Sequence, residues 1–400
     1  MNILDFLKNN ILYLDGGMGT LLQSEGLKAG ELPEDWNISH PEIITEIHRR
    51  YYKAGSNVVN TNTFGANSLK FSECELEDIV KAAIENAKEA KTGEKPEWVA
   101  LDIGPLGKLL KPYGDLDFEN AVEIFSKTVR LGAKYGADLV FIETMNDSYE
   151  TKAALLAAKE NCDLPVFVSN AYGEDGKLMT GATPAAMVTM LEGMGADAIG
   201  VNCSLGPKAL APVVEEYLKY ASVPVILKPN AGLPKSENGK TVYDITPQEF
   251  ASEVCALIKK GVLIAGGCCG TTPEHISLLT KSGANITPVP VKEKSYTLVS
   301  SYTHAVIFGD RPVLIGERIN PTGKKRFKEA LREGDMDYIL KEGISQEEKG
   351  VDILDVNVGL PEIDEAYMLT RSVCELQAIT ALPLQIDTSD PVAMEKALRR

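Results

Sequence analysis

Long apolar runs are missing from this 400-residue sequence. A helix that crosses a bilayer needs roughly 18 or more consecutive apolar residues, and no segment reaches that length. The amino-terminal stretch Met1–Asn10 contains acidic and amide side chains and lacks the apolar centre of a secretory signal. We therefore expect a soluble cytoplasmic protein with no membrane partner.

An excess of positive charge is also missing. The 41 Lys and Arg residues are outnumbered by 57 Asp and Glu residues, which gives a formal net charge of −16. Nucleic acids and anionic membranes attract proteins of the opposite charge. The charge balance therefore argues against nucleic acid as a partner and favours small molecules or other proteins.

The sequence has few cysteines, and their distribution is unlike that of a disulfide-rich secreted domain. Seven of them, an odd number, are spread over the chain, whereas small secreted domains contain dense, even sets. Reduced thiols are therefore expected. Two of the seven, Cys268 and Cys269, are neighbours in the glycine-rich stretch AGGCCGTTP, and this pair needs a local explanation.

Short apolar runs alternate with amphipathic stretches of helical period in the first part of the chain. Such runs predict parallel strands that are buried on both faces. Eight strand–helix units in roughly 280 residues are typical of an α/β fold of the (β/α)8 TIM-barrel type. An open doubly wound sheet is the alternative. The predicted strands are Ile11–Leu14, Val58–Asn60, Trp98–Leu101, Leu139–Ile142, Pro165–Val168, Ala198–Val201, Pro224–Leu227 and Leu263–Ala265.

Polar residues follow the predicted strands at their carboxyl ends. Active sites of TIM barrels lie at that end, so these residues should converge on one mouth. A single polar turn residue is an ordinary structural pattern, but eight successive polar strand ends favour a functional site. They include Asp15, Asn60, Thr61, Thr63, Asp102, Glu143, Asn170, Asn202, Cys203, Lys228 and Asn230.

Three cysteines are predicted to meet at this mouth. The sixth and eighth strands contribute to the same layer of a barrel interior, so Cys203 can approach Cys268 and Cys269. The flanking glycines permit a bend that lets both neighbouring thiols reach one point. Three sulfur ligands suit Zn²⁺, and a missing fourth protein ligand is typical of a catalytic site open to substrate. Taken alone, the pair could also be two core residues, a vicinal disulfide or a structural metal corner.

The motifs LDGGMGT, NTNTFGAN, FIETM, VNCS and GGCCGTTPEHI together resemble the homocysteine S-methyltransferase family of zinc-dependent barrels. The resemblance implies that Cys203, Cys268 and Cys269 bind zinc and that the thiol of homocysteine takes the open position. Binding to Zn²⁺ would deprotonate that thiol and make it a nucleophile at neutral pH.

The resemblance also implies where the amino acid binds. Asp15 and Glu143 would bind the ammonium group of homocysteine. Thr63, with nearby backbone amides, would lie near its carboxylate. Asn202, which precedes the first cysteine of the metal site, is a further candidate for substrate binding.

A second pattern follows the first. We predict a homocysteine-binding zinc barrel over residues 1–288, a linker over 289–310 and the start of a second TIM-type barrel over 311–400. The stretches GERIN, DVNVG and LPLQIDTSDP resemble pterin-binding barrels of the methyltetrahydrofolate methyltransferase and dihydropteroate synthase kind. Only three strand–helix units of this barrel precede residue 400, so we expect the sequence to be part of a longer protein. By the same resemblance, the pterin would be bound by Glu317, Asn320, Asp355, Asn357 and Asp387.

The order of the two patterns resembles that of the cobalamin-dependent methionine synthases. It implies a zinc-dependent methyltransferase that moves a methyl group from 5-methyltetrahydrofolate through methylcobalamin to homocysteine, giving methionine. No D-x-H-x-x-G motif for cobalamin occurs, so a further cobalamin domain or a separate corrinoid protein would carry that cofactor. The alternatives are a homocysteine methyltransferase that uses betaine or S-methylmethionine, a fusion to a folate reductase, and a zinc or thiol sensor without catalysis.

Overall fold

The computed structural model describes residues 2–237, 240–309 and 311–400. The chain divides into two compact units, Met1–Lys294 and Ser295–Arg400. Among the described residues, no helix combines the length and apolar character needed to cross a membrane.

The first unit is built around eight parallel strands. Its strands, with those of a short hairpin, are β1 (Leu12–Tyr13), β2 (Val58–Asn60), β3 (Trp98–Ile103), β4 (Leu139–Met145), β5 (Val166–Asn170), β6 (Ala198–Asn202), β7 (Val225–Lys228), β8 (Lys235–Glu237), β9 (Lys240–Val242) and β10 (Val262–Ala265). The order in the sheet is β1-β10-β7-β6-β5-β4-β3-β2, so the last strand pairs with the first and the sheet curls into a nearly closed barrel. Each of the eight predicted apolar runs overlaps one of these strands, which confirms the predicted TIM-barrel fold.

Hydrogen bonds from backbone and side chains join the segments around β1 and β2, the two strands at the ends of this order. The backbone N–H of Asn57 donates to the carbonyl of Tyr13 at 2.6 Å, and the Asn57 Oδ1 accepts from the Tyr13 N–H at 3.1 Å. Further along, the N–H of Asn60 donates to Asp15 Oδ2 at 2.8 Å. Asp15 therefore helps to close the barrel at the end where the candidate site lies.

Helices follow the strands and pack around the barrel. Their starts agree with sequence signals: Thr246 and Glu249 form a capping box, and Pro247 occupies the first helical position. The helices are α1 (Ile3–Leu7), α2 (Met18–Glu25), α3 (Trp36–Ser39), α4 (Pro41–Ala54), α5 (Glu73–Glu89), α6 (Phe118–Tyr135), α7 (Ser148–Asn161), α8 (Pro184–Gly193), α9 (Pro207–Tyr220), α10 (Pro247–Ile258) and α11 (Pro273–Gly283).

The short helix α1 packs against the amino end of the barrel. Ile3 and Leu7 are buried in one apolar cluster with Trp98 and Leu139, which are the first residues of their strands. Phe6 also meets the Trp98 ring edge-on, with the ring centroids 5.4 Å apart. Apolar side chains thus cover this end of the barrel, whereas the candidate site residues follow the strands at the opposite, carboxyl end.

Two hairpins are additions to the predicted pattern. The hairpin β8–β9 follows β7, and the antiparallel pair β11 (Thr297–Ser300) and β12 (Ala305–Phe308) lies within the predicted linker 289–310. In the segment Thr297–Phe308, two short apolar stretches flank a polar turn, and such a pattern allows the two stretches to pair as an antiparallel hairpin.

The second unit contains a three-stranded parallel sheet in the order β13-β14-β15. Its strands are β13 (Ile315–Ile319), β14 (Ile353–Val356) and β15 (Leu384–Ile386), and its helices are α12 (Lys325–Glu333), α13 (Met336–Glu347), α14 (Glu365–Gln377) and α15 (Pro391–Leu398). A separate apolar core contains Ile319, Phe327, Val356 and Leu369. The three strand–helix units coincide with the three stretches from which a partial second barrel was predicted.

Candidate active site

The three cysteines of the predicted metal site come together at the carboxyl end of the barrel. Cys203 directly follows β6, and Cys268 and Cys269 lie just after β10. All three sulfur atoms are within 4.8 Å of one another, and the Cys203 and Cys269 sulfurs are 4.0 Å apart. Residues that are distant in the sequence thus form one compact thiol cluster.

The turn after β6 directs the first thiol into this cluster. Cys203 and Ser204 have φ angles of 59° and 57°, in the left-handed region that residues other than glycine seldom adopt. The N–H of Cys203 donates to the carbonyl of Lys228 at 3.0 Å, and the N–H of Leu205 donates back to the carbonyl of Cys203 at 2.7 Å. These two bonds hold the strained turn at the end of the strand.

Glycines allow the other two thiols to reach the same point. A Cβ on Gly266 would lie 2.7 Å from the Cβ of Leu14 and 2.8 Å from the carbonyl oxygen of Asp15, so only glycine fits there. The loop then bends away from strand geometry and is held by the Cys268 N–H, which donates to the carbonyl of Pro229 at 2.8 Å. This bend is the one expected from the glycine-rich sequence.

The thiol cluster suits a cation. The hydrogen bond with Cys203 is the largest effect on Cys268 and, with burial, raises the pKa of Cys268 well above its ordinary value. For Cys203 a hydrogen bond with Cys268 lowers the pKa, but the contact with Cys269 and burial outweigh it and raise the pKa to about 11. Three crowded thiolates are unfavourable without a counter-ion, and a bound divalent ion reverses that preference.

The sulfur spacing also fits zinc. Tetrahedral coordination with Zn–S bonds of about 2.3 Å places sulfurs about 3.8 Å apart. The 4.0 Å separation of the Cys203 and Cys269 sulfurs is close to that value. Cys203, Cys268 and Cys269 could therefore hold a zinc ion by three sulfurs with little movement.

A buried cluster of charges lies at the ends of neighbouring strands. The Nζ of Lys228 donates to Glu143 Oε2 at 3.0 Å and lies 3.5 Å from Asp15 Oδ1. The side-chain amide of Asn60 donates to the same Glu143 oxygen at 3.3 Å. The side chains of Asp15, Glu143 and Lys228 are each less than a tenth exposed. The two carboxylates predicted to bind substrate are thus together, with a lysine between them.

Burial governs the protonation of this cluster. It raises the pKa of Asp15 to about 6, against the opposing effect of Lys228. Burial, followed by the charge of Glu143, raises the pKa of Asp102 well above its ordinary value. Burial alone would lower the pKa of Lys228, but Glu143 and Asp15 together outweigh it and raise that pKa well above its usual value. Burial therefore favours the neutral form of Asp102, whereas the neighbouring carboxylates favour the charged form of Lys228.

Several acceptor oxygens in this region are poorly paired within the described part of the chain. Asn60 Oδ1 and Asp102 Oδ1 are buried without a hydrogen-bond partner, and Asp15 Oδ1 has only its 3.5 Å ion pair with Lys228. They belong to residues at or just beyond the ends of β1, β2 and β3. Unpaired buried acceptors are costly, so a ligand that brings several N–H donors would stabilise this pocket.

Thr63 and Asn202, the other two predicted substrate residues, are bonded to the protein itself. The Thr63 hydroxyl donates to the carbonyl of Asp102 at 2.8 Å. The Asn202 Oδ1 accepts from the Thr144 N–H at 2.8 Å and from the Ser169 hydroxyl at 2.7 Å. In this arrangement both side chains fix the loops around the site.

A cleft of about 420 Å³ opens at the mouth of the barrel. Thr144 and Ser204, the residues that follow Glu143 and Cys203, contribute to its wall. The β5–α8 loop supplies much of the rest, including Lys177 and Met179. The cleft therefore lies beside the strand ends that carry Glu143 and Cys203.

The predicted pterin residues lie on the three strands of the second unit or just beyond them. Asn357 donates through Nδ2 to Asp387 Oδ2 at 2.9 Å, which brings the ends of β14 and β15 together. Burial raises the pKa of Asp355, and the charges of Asp387 and Glu317 add to that effect. Asn320 lies after β13, where its Oδ1 accepts from the N–H of Thr322 at 2.8 Å.

Sequence reasoning did not assign two residues that the structure places at the site. Lys228 was recognised as a strand-end residue but not as the partner of Glu143 and Asp15. Tyr243 was not considered. Its ring packs directly on Gly270, the residue after Cys269, and a Cβ added to Gly270 would lie 2.2 Å from the Tyr243 Cγ. The strand-end position was a signal for Lys228, whereas Tyr243 follows a hairpin that the sequence pattern did not reveal.

Comparison with protein families agrees with this geometry. Residues 12–282 match the model of the homocysteine S-methyltransferase family, and the chain belongs to that family. Residues 316–400 match the model of the pterin-binding enzymes. The combination of a thiol-lined barrel with a pterin-binding segment confirms the resemblance seen in the sequence motifs.

Individual proteins are similar to this chain in sequence or in fold. The methionine synthase of Mycobacterium tuberculosis is 29% identical over 420 residues, and that of Mycobacterium leprae is 29% identical over 424 residues. Each match covers 99% of this chain but only 35% of the relative. The metallated form of the homocysteine methyltransferase MmuM from Escherichia coli has the same barrel fold, with a TM-score of 0.60 and 22% identity. That match covers 70% of this chain and 98% of the solved one.

Proposed function

We propose that this chain activates the thiol of homocysteine for methylation to methionine, using a zinc ion bound by Cys203, Cys268 and Cys269. The observation that carries the proposal is the cluster of three thiols within 4.8 Å of one another at the barrel mouth. Zinc bound there would supply the positive charge that keeps a fourth, substrate sulfur ionised at neutral pH.

The chain's own residues would orient the amino acid. Asp15 and Glu143 bind its ammonium group, because Asp15 Oδ1 is buried and its one partner among the described residues is Lys228, at 3.5 Å. Two carboxylates and the single ammonium of Lys228 leave one negative charge, which a substrate ammonium neutralises. Thr63 and Asn202 support the substrate by fixing the adjacent loops.

The methyl group would come from 5-methyltetrahydrofolate bound by the second domain. The pterin-binding match over residues 316–400 supports this donor over betaine or S-methylmethionine. In the proposed arrangement residues 1–288 form the zinc barrel, 289–310 connect it to the pterin domain, and 311–400 belong to that domain. The pterin residues are Glu317, Asn320, Asp355, Asn357 and Asp387.

The proposal includes cobalamin as the carrier of the methyl group between the two substrates. The methionine synthase relatives are much longer than this chain, which leaves room for a further cobalamin domain. A separate corrinoid protein is the other possible carrier. We also propose a cytoplasmic location, where the thiols of the metal site stay reduced.

X-ray absorption at the zinc edge tests the metal site. The zinc-loaded chain should show three sulfur neighbours at about 2.3 Å, and homocysteine should add a fourth. Replacing Cys203 by Ser should lower the zinc content, whereas Cys74→Ser, at an exposed thiol on α5, should not. Three sulfur neighbours that stay unchanged on addition of homocysteine would contradict thiol activation.

Methyl transfer separates an enzyme from a zinc or thiol sensor. Free methylcobalamin supplied with homocysteine should give methionine slowly, and calorimetry in buffers of different ionisation enthalpy should show proton release on homocysteine binding. A sensor would bind the thiol without forming methionine.

A further inference from the structure

The proposed function assigns Asp15 and Glu143 to the substrate ammonium and counts Lys228 only as one of the charges of the pocket. Lys228 ends β7 and is only 3% exposed. Its Nζ is 3.0 Å from Glu143 Oε2 and 3.5 Å from Asp15 Oδ1. Burying three charges is costly unless they compensate one another, so a lysine at this point requires a reason.

Lys228 is held firmly at the edge of the metal site. In the β6–β7 register it lies opposite Asn202, and its carbonyl accepts the N–H of Cys203 at 3.0 Å. Its Nζ also lies 5.9 Å from the centre of the Phe141 ring inside the barrel. The backbone of Lys228 thus supports the thiol cluster, while its side chain reaches the carboxylates.

The lysine does not satisfy all the acceptors around it. Asn60 Oδ1 and Asp102 Oδ1 remain buried without a hydrogen-bond partner in the described structure. Asp15 Oδ1 has only its 3.5 Å ion pair with Lys228. Within the ion-paired group, two carboxylates, Asp15 and Glu143, face the single ammonium of Lys228, so their charges sum to one negative unit. The pocket therefore has both the acceptors and the charge to take one more ammonium group beside Lys228.

We propose that Lys228 is a positioning residue that sets the amino-acid specificity of this pocket. It holds the carboxylates of Asp15 and Glu143 in place and compensates one of them, so that the pocket accepts a single ammonium group. This inference rests on the proposed function, because it takes the amino acid to bind at this end of the barrel. Without Lys228, two facing carboxylates would repel, and one would take up a proton and lose its charge.

The test compares two ligands that differ only in the ammonium group. Homocysteine and γ-mercaptobutyrate, which lacks that group, are titrated calorimetrically into the zinc-loaded chain. The parent should prefer homocysteine by about tenfold or more, the range of a lost charged hydrogen bond. In Lys228→Met the ratio of the affinities for homocysteine and γ-mercaptobutyrate should fall towards one, while the zinc content stays unchanged. Lys228→Arg should restore much of the preference for homocysteine.

A matched control exists at the other end of the barrel. Lys95 pairs with Glu97 at 3.4 Å, and its Nζ lies 5.9 Å from the centre of the Tyr52 ring. Lys95→Met therefore removes a similar ion pair and ring contact before β3. It should leave the ligand preference at the parent value.

A double variant keeps the inference testable if Lys228→Met does not fold. In Glu143→Gln alone, the carboxylate of Asp15 and the ammonium of Lys228 cancel. The pocket then has no net negative charge to attract the ammonium group of homocysteine. Adding Lys228→Met restores one negative unit from Asp15. The double variant should therefore prefer homocysteine over γ-mercaptobutyrate more strongly than Glu143→Gln does, and an equal or weaker preference would overturn the inference.

The remaining outcomes are also decisive. An unchanged preference in Lys228→Met would show that Lys228 has no part in specificity. Tighter homocysteine binding would show that it competes for the ammonium position, and an equal loss for both ligands would show that it binds their shared carboxylate. Each result overturns the inference, whereas a parent chain that binds neither ligand contradicts the proposed function itself.

Discussion

At the residue scale, the site depends on charges that are removed from water. Glu143 is 6% exposed and receives hydrogen bonds from Lys228 and Asn60 on one oxygen. In such surroundings a charged hydrogen bond is worth more than at the surface, because the dielectric response is weak. Changes of charge without change of shape are therefore the most informative substitutions.

Glu143→Gln is expected to weaken homocysteine binding while leaving zinc bound. Loss of a charged hydrogen bond costs about 1.5–3 kcal/mol, which corresponds to a rise in KM of about 10- to 150-fold. Zinc content by atomic absorption and KM from steady-state rates measure the two effects. Glu123→Gln, which removes an exposed ion pair with Arg130, is the control. A variant that binds homocysteine as tightly as the parent would remove Glu143 from the substrate site.

His48, which lies outside the candidate active site, is expected to make the free energy of unfolding depend on pH. It is buried in α4, neither ring nitrogen has a partner among the described residues, and burial lowers its pKa to about 3. The unfolded chain takes up a proton near pH 6.5, which the folded chain resists. Stability contributed by neutral His48 is therefore present above pH 6.5 and lost progressively below it, by up to about 1.4 kcal/mol per pH unit.

Urea unfolding of His48→Leu and of the parent checks this expectation. Between pH 7 and pH 5 the variant should lose less stability than the parent, by roughly 2 kcal/mol. Above pH 7.5 the two curves of stability against pH should run parallel, because the unfolded histidine is then neutral. Equal losses down to pH 5 would mean that His48 becomes protonated in the folded protein.

At the scale of structural elements, the turn after β10 combines two demands. It must end a buried strand, and it must present two neighbouring thiols on the same side. The close approach of Gly266 to Leu14 and Asp15 satisfies both by letting the loop pass over the end of β1. The metal site therefore depends on packing between the first and last strands of the barrel.

Gly266→Ala is expected to disturb both the barrel closure and the metal site. The added methyl would meet the Cβ of Leu14 at 2.7 Å, so the backbone must move, at a cost of about 1–3 kcal/mol. Thermal unfolding and zinc affinity report the two effects. Gly19→Ala, on α2, adds a methyl that meets nothing within 4 Å and should leave zinc affinity unchanged. Full zinc affinity in Gly266→Ala would show that the turn tolerates the displacement.

At the scale of the whole molecule, the chain consists of two compact units with separate cores. The first unit, Met1–Lys294, contains all eight strands of the barrel and every candidate zinc and homocysteine residue. The second has its own apolar cluster around its three-stranded sheet. A complete set of strands with a closed interior is what independent folding requires.

Residues 1–294 produced alone are therefore expected to fold and to bind zinc and homocysteine with the affinity of the 400-residue chain. Calorimetry with each ligand measures this, and circular dichroism checks the fold. A truncated protein that folds but binds homocysteine poorly would mean that the second unit contributes to the substrate site. Such a result would leave the zinc ligands in place and change only the assignment of the pocket.

The sequence by itself determined the strands and the type of fold. Buried parallel strands must be continuously apolar, so their runs could be recognised from Val58–Asn60 to Leu263–Ala265 without any knowledge of tertiary contacts. The thiol cluster could also be predicted, because cysteines after the sixth and eighth strands have few other places to point in a closed barrel. The hairpin β8–β9 was missed because its strands are short and lack an apolar period.

Only the tertiary structure decided how the charges of the pocket are paired. Asp15, Asn60, Glu143 and Lys228 lie on or just beyond four different strands, and no local pattern relates their side-chain directions. Closure of the barrel brings them within hydrogen-bonding distance, where burial makes each charge depend on the others. Strand positions follow from local hydrophobicity, whereas the protonation and partners of buried charges depend on distances that exist only in the folded chain.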